Sequence, residues 1–302
     1  ARSPKLAFIG LGAMGSRLAG RVARAYPLLT VFDRDPARVE AHSKEFKTKG
    51  ALDVCSAVDS ASVVLTCLQR SSNVEEVLAE LDEAKATLGP GALWIDCTSG
   101  DPMHTRALGK RLQETHNCEL VDCAVSGGPA GAQKGTLAAM CGGEPSAFEQ
   151  ASEVIGTFAQ HAELMGPSGS GHATKAVNNA MMAAHILIAS EALVGLTKAG
   201  ICPEAATKVI SKSSGRSWAT QQRIPDHVLT RTFDYGFALD LLAKDVDTCA
   251  GLMTSVDMPT PLLSKAQETV RLALKEYGPD ADHVEIAKVA EKAGGKKMEK
   301  LE

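Results

Sequence analysis

The chain has 302 residues, 44% of them hydrophobic, with a formal net charge of −4 and 8 cysteines. That length and apolar content suit two domains with sizeable cores, and the charge balance excludes a nucleic-acid or membrane surface built on excess basic residues. The cysteines form no CxxC pair and keep no regular spacing, which argues against a disulfide framework or zinc site and predicts free thiols in a reducing compartment.

The chain enters a strand at residues 6–9, leaving no room ahead of it for a signal or transit segment. No run of 18 apolar residues is free of polar interruption, so no membrane span is expected. The expected setting is the cytoplasm, or the mitochondrial matrix if an import segment has been removed. Gly10-Leu11-Gly12-Ala13-Met14-Gly15 follows the first strand and opens a helix over 13–25. This is GxGxxG between a strand and a helix. Its glycines permit a tight turn, close approach of a diphosphate and helix–strand packing, and the helix N-terminus favours phosphate. A second strand, 29–32, ends on Asp33, 18 residues after Gly15, where a carboxylate meets the adenosine ribose. Asp35-Pro36 caps the next helix, 36–46, which leaves Asp33 for the cofactor. Asp33 favours NAD. Arg34 suits stacking on adenine, accepting the 2′-phosphate of NADP, or simple solvation, so NAD is the first expectation and NADP the second.

Strands at 63–68 and 92–95 follow, with Cys67-Leu68-Gln69 and Thr98-Ser99 at their carboxyl ends, where ligands of parallel sheets sit. Asp101-Pro102 caps a helix over 102–114, which leaves Ser99 available. A short strand at 120–121 leads into Asp122-Cys123-Ala124-Val125-Ser126-Gly127-Gly128-Pro129. Ser126 and the amides of Gly127 and Gly128 suit a carboxylate cradle, and an ordinary loop before Pro129 fits equally well. Strand–helix alternation with apolar strands predicts an α/β domain with a doubly wound, Rossmann-type parallel sheet.

Character changes near Gly166, and no strand is expected after it. The boundary is set at residue 167: a dinucleotide-binding domain over 1–167, then an all-α domain over 168–302 for substrate and oligomerisation. Residues 172–199 read as one helix of about 42 Å, apolar around most of its circumference. Further helices are expected at 204–211, 239–255, 261–277 and 283–293. The long helix carries Lys175 near its start, with Asn178 and Asn179 one turn on, on the same face. A cation on an apolar rod needs a partner or a task. Its apolar surface also predicts a homodimer or homotetramer.

These motifs together carry a resemblance. The chain resembles the β-hydroxyacid dehydrogenase family, and its 3-hydroxyisobutyrate branch most closely. The stretches that carry it are GLGAMG at 10–15, DCAVSGGPAGAQKGTL at 122–137, GSGHATKAVNN at 169–179, GFALDLLAKDVDTCA at 236–250 and Ser213-Ser214-Gly215-Arg216-Ser217-Trp218. The resemblance implies Lys175 as the catalytic lysine and Asn179 as the orienting amide. It implies a substrate-carboxylate loop at Ser126, Gly127 and Gly128, and substrate-lining positions at Phe237 and Asp245. Gly10, Leu11, Gly12, Ala13, Met14, Gly15, Asp33, Arg34, Leu68, Gln69, Ser99 and Lys244 would face the cofactor, and no metal is implied. Gln69 stands where relatives often have proline, Ser16 to Ala19 replace a small-Pro-Met-Ala run, and Asp240, Asp247 and Thr248 are more polar than usual. These departures bear on substrate more than on reaction class.

The expected reaction is oxidation of a short 3-hydroxy acid, 3-hydroxyisobutyrate first and D-glycerate or tartronate semialdehyde chemistry second. A histidine-based 2-hydroxyacid dehydrogenase fits less well, because His172 and His185 lack an evident orienting acid. A cysteine-based aldehyde dehydrogenase would need Cys97 or Cys123 as nucleophile. A silent nucleotide-binding interaction module is the alternative of another class.

Overall fold

The computed structural model describes residues 4–299. Packing divides the chain into two compact units, one ending at Lys175 and one beginning at Ala176. The compositional change expected at residue 167 precedes this break, which falls inside a long helix.

The first unit is a single eight-stranded sheet with helices between its strands. The strands are β1 (Leu6–Ile9), β2 (Thr30–Phe32), β3 (Lys49–Gly50), β4 (Val63–Thr66), β5 (Leu93–Asp96), β6 (Glu119–Ser126), β7 (Leu137–Gly142) and β8 (Ala159–Gly166). Their order is β3-β2-β1-β4-β5-β6-β7-β8. Every pair is parallel except β6 with β7. The helices are α1 (Gly15–Ala25), α2 (Pro36–Phe46), α3 (Val54–Val58), α4 (Ser71–Ala84), α5 (Pro102–His116), α6 (Gly128–Lys134) and α7 (Pro145–Ile155). Strand residues alternate between two cores. Leu6 and Phe8 of β1 join one with Leu18, Val22 and Ile95. Ala7 and Ile9 join the other with Val64, Leu78 and Trp94. Both faces being covered is why these strands read as unbroken apolar runs.

Four strands depart from expectation. Residues 49–50, 137–142 and 159–166 were not anticipated as strands, and β6 is longer than the two residues foreseen. β3 is two exposed residues, and β8 is a sheet edge whose side chains are mostly exposed or half-buried. Neither leaves an apolar signature. β7 is built largely of Ala, Cys and Gly, and β6 carries Asp122 and Ser126, so both look loop-like to a hydropathy reading. Residues 128–134, inside the glycine-rich stretch 122–137, form α6.

The second unit is helical around its own core. Helix α8 (Ser170–Lys198) begins in the first unit and supplies Ala176, Ala180, Ala183, Ile186, Leu187, Leu193 and Val194 to this core. It is long and apolar enough to cross a membrane by length and composition, and half of its most apolar window is buried in the fold. Core packing thus accounts for about half of that apolar surface. Helices α9 (Pro203–Ile210), α10 (Leu239–Ser255), α11 (Pro261–Tyr277) and α12 (Ala287–Gly294), with a 3-10 turn at His283–Ile286, complete the unit. A π-helix at Ala219–Val228 was not foreseen, because Pro225 in its interior lacks the donor a helix needs.

Candidate active site

The turn after β1 is organised for close approach. Gly10 has φ +98°, and a Cβ there would lie 2.5 Å from the Cys67 carbonyl oxygen. A Cβ on Gly15 would overlap the Gly10 carbonyl oxygen. Gly12 differs: its nearest neighbour would be an Arg38 guanidinium nitrogen at 4.0 Å. Two glycines thus pack the turn and the middle one leaves open space over it. Leu11, Ala13 and Met14 fill the turn, and α1 starts at Gly15 with no side-chain cap. The Ser16 and Arg17 amides donate to the Gly12 and Met14 carbonyls, and with no side chain over it the positive end of α1 is open to an anion. On these observations the turn fits a dinucleotide.

Asp33 stands where the ribose is expected, yet it is not idle. Its Oδ2 accepts the Leu11 N–H at 2.6 Å and its Oδ1 accepts the Asp35 N–H at 2.9 Å. The carboxylate therefore braces the glycine turn, a correction to its reading as an uncommitted group. Asp35 caps α2 through the Ala37 N–H, as expected. Arg34 pairs with Glu76 at 3.0 Å and Glu80 at 3.4 Å, both on α4. Arg38, not singled out by sequence, lies 3.8 Å from Asp33 and 3.4 Å from Asp35.

Beyond β4 and β5 the loops are tied together from below. Buried Asp96 accepts the Thr66 hydroxyl at 2.8 Å and the Thr98 N–H at 3.0 Å. The Trp94 indole N–H donates to Thr66, and the Leu68 N–H donates to the Thr98 hydroxyl at 3.1 Å. Leu68 and Ser99, both half-buried, are held on adjoining loops, while Gln69 is exposed. Asp101 caps α5 through the N–H groups of Met103 and His104.

At the end of β6, Ser126 is half-buried and is followed by Gly127 with φ +131° and Gly128 with φ +66°. Two successive left-handed residues turn their amides into a concavity suited to an anion. Glycine is required at both, and a Cβ on Gly127 would also meet Leu137 at 2.9 Å.

Lys175 lies in the second turn of α8, with Asn179 one turn on. Within the second unit, the buried Asn179 donates its Nδ2 hydrogen to Asp245 at 2.5 Å and its Oδ1 accepts from Asn178. Lys244 pairs with the other Asp245 oxygen at 2.9 Å. Phe237 packs edge-on to His283. Ser214 to Ser217 line a cavity with His185 and Ile188 of α8.

The rival nucleophiles lack accessibility. Cys97 and Cys123 are buried. Hydrogen bonding to the Cys141 and Cys97 thiols, with burial, pushes Cys123 well above the usual thiol range, which leaves it inert. All eight cysteines are unpaired. His172 is buried against Thr105 at 2.7 Å and the Asp96 carbonyl at 3.3 Å, a structural placement.

Residues 5–166 match the family model described as the NAD-binding domain of 6-phosphogluconate dehydrogenase. Residues 169–290 match the one described as NAD-binding of NADP-dependent 3-hydroxyisobutyrate dehydrogenase. The chain is 33% identical to a probable mitochondrial 3-hydroxyisobutyrate dehydrogenase of Arabidopsis thaliana, covering 89% of this chain and 82% of that protein. It is 29% identical to an NAD-dependent L-serine dehydrogenase of Pseudomonas aeruginosa, over 96% and 99% of the two chains. Among solved structures it is similar to a Mycobacterium tuberculosis 3-hydroxyisobutyrate dehydrogenase studied with L-serine. That match has a TM-score of 0.84 and 26% identity over 95% of this chain and 98% of the other. Matched at both the glycine turn and the lysine helix, the chain belongs to the β-hydroxyacid dehydrogenase family, close to the 3-hydroxyisobutyrate dehydrogenases, and is an NAD(P)-dependent hydroxyacid dehydrogenase.

Proposed function

We propose that the enzyme oxidises 3-hydroxyisobutyrate to methylmalonate semialdehyde, with Lys175 as general acid/base. The observation that carries this reading is the pairing on α8: a lysine, then one turn later an amide whose orientation Asp245 fixes. When bound, the nicotinamide dinucleotide supplies the hydride acceptor for the hydroxyl-bearing carbon. The Gly10 to Gly15 turn and Asp33 would hold its diphosphate and adenosine ribose. Leu68, Gln69 and Ser99, and by the family resemblance Lys244, would contact the rest of it. Lys175 Nζ takes the hydroxyl proton during oxidation and returns it in reverse. Asn179 has one Nδ2 hydrogen committed to Asp245 and offers the other to the reacting oxygen. Ser126 and the Gly127 and Gly128 amides hold the carboxylate, and Phe237 gives the methyl group an apolar wall.

The carboxylate cradle and the lysine suit a hydroxyl one carbon beyond the carboxylate-bearing carbon. L-Serine shares that spacing and is favoured by the serine-named relative and the structural neighbour. It differs by an ammonium in place of the methyl. Asp245, an acid that would welcome an ammonium, is already paired with Lys244, which supports the apolar substituent. D-Glycerate is the remaining near alternative, since an apolar pocket discriminates weakly against an added hydroxyl. A panel of 3-hydroxyisobutyrate, L-serine, D-glycerate and 3-hydroxypropionate with both cofactors tests the reading. The highest kcat/KM belongs to 3-hydroxyisobutyrate. A preference for L-serine would transfer the assignment to it. Ser126→Ala raises KM for the acid about tenfold, the worth of a charge-assisted hydrogen bond, without changing cofactor affinity. If the methyl ester of 3-hydroxyisobutyrate reacts as well as the free acid, the carboxylate anchor is wrong.

The preferred cofactor is NAD. Asp33 repels a 2′-phosphate, and Glu76 and Glu80 occupy the Arg34 guanidinium that would receive one. Asp33→Ser shifts preference toward NADP but also removes the brace on Leu11, so it is an impure probe. Glu76→Gln/Glu80→Gln frees Arg34 and leaves the brace intact. That double variant raises the NADP/NAD ratio of kcat/KM about tenfold, as expected from relieving two exposed charges. A wild-type enzyme that strongly prefers NADP contradicts the assignment. Met181 and Ile188 on α8 are 55% and 61% exposed, which supports a homodimer or homotetramer.

A further inference from the structure

We propose that Asp122 is a positioning residue for Lys175, and that strand β6 thereby fixes the lysine against the Ser126 loop. The proposal rests on the reading of Lys175 as general acid/base.

The first turn of any α-helix has N–H groups without intrahelical partners. A side chain at or next to the helix start usually satisfies them. At α8 the acceptor comes instead from the sheet. Asp122 Oδ1 accepts the Gly169 N–H at 2.7 Å, and Oδ2 accepts the His172 N–H at 2.9 Å. These partners lie 47 and 50 residues away in sequence, and Asp122 is 0% exposed. A buried carboxylate is costly unless its oxygens are satisfied, and here both are spent on one helix terminus.

The fit leaves no slack. A Cβ on Gly142 of β7 would lie 2.6 Å from Asp122 Oδ1, and one on Gly171 of α8 would lie 2.8 Å from Oδ2 and overlap the Met140 carbonyl oxygen. Glycine on both sides lets the helix start rest directly on the β6–β7 pair. The His172 ring adds a third anchor through Thr105 and the Asp96 carbonyl. Two backbone bonds and one ring therefore fix both the translation of α8 along its axis and its rotation about it. Lys175 is three residues beyond His172, on the same side of the helix. Ser126 is four residues beyond Asp122 on the same strand. One rigid strand thus ends in the carboxylate loop and clamps the helix that carries the lysine. A displacement of about 1 Å in a reacting group costs roughly 10²-fold in rate, so such a clamp has a kinetic consequence.

The test is a double-mutant cycle with Asp122→Asn and Lys175→Ala, accompanied by amide hydrogen exchange over residues 169–175. Asparagine keeps the shape but presents its NH2 group to one of the two donors. Asp122→Asn lowers kcat about 10²-fold, changes KM for the hydroxy acid by less than about threefold, and speeds exchange at the Gly169 and His172 amides. In the Lys175→Ala background it lowers kcat no further, because the lysine through which it acts is gone. An equal loss in both backgrounds, or an unchanged kcat, overturns the clamp. Near-normal turnover by Lys175→Ala alone overturns the acid/base reading instead, so the two failures are distinguishable. If Asp122→Asn is not recovered folded, Asp122→Ser, whose hydroxyl accepts one N–H, carries the same cycle with the same criteria.

Discussion

Lys175→Ala is expected to lower kcat by about 10²- to 10⁴-fold, the usual worth of a positioned general acid or base. The KM for cofactor stays close to wild type, since the glycine turn and Asp33 lie on β1, β2 and their loops and not on α8. The effect falls on the transition state, where the hydroxyl proton is leaving as hydride departs, so kcat and kcat/KM drop together. Lys175→Arg does not rescue, because a guanidinium keeps its proton at any working pH and has no base form to offer. Thermal melting of both variants separates loss of chemistry from loss of fold. Lys175→Ala with near-normal turnover and an unchanged melting temperature would remove the lysine from the mechanism.

What the sequence disclosed and what it hid follow from the range of the interactions involved. β1, β2, β4 and β5 were legible because each is an apolar run covered on both faces. The caps of α2 and α5 were legible because Asp35 and Asp101 act on amides two or three residues away. The Lys175 and Asn179 pairing was legible from helical periodicity alone. Long-range partners were not. Nothing in the spacing foretells that Asn179 meets Asp245 66 residues later, or that Asp33 spends an oxygen on Leu11, 22 residues earlier. Asp122 stood in a motif already singled out, yet it looked like the start of a loop. The local pattern around a buried capping acid is the same as around a solvated one. β7 and β8 were hidden for separate reasons: β7 is largely alanine, cysteine and glycine, which give a weak hydropathy signal, and β8 is a sheet edge whose Gln160, His161 and Glu163 are exposed.

The three glycines of the first turn give the second large effect, and they separate two roles that sequence alone cannot tell apart. Gly15→Ala drives a Cβ into the Gly10 carbonyl oxygen, so either the turn or α1 must move. Overpacking of this kind costs about 1–3 kcal/mol, which lowers Tm by roughly 2–10 °C in a chain of this size. The same distortion lowers NAD affinity about 10- to 100-fold, since it reshapes the turn that meets the diphosphate. Gly12→Ala behaves differently. Its φ is not in the left-handed region and its Cβ has only the Arg38 guanidinium within 4.0 Å. The apo protein therefore melts at the wild-type temperature or slightly higher, as expected where alanine restricts the unfolded chain without native strain. NAD affinity nevertheless falls by at least about tenfold, because the methyl occupies the space the diphosphate needs. Calorimetric titration with NAD beside melting curves of the apo forms reads both quantities. A Gly12→Ala protein that binds NAD as tightly as wild type would mean that the diphosphate does not lie over this turn, and the cofactor assignment of Gly10 to Gly15 would fail with it.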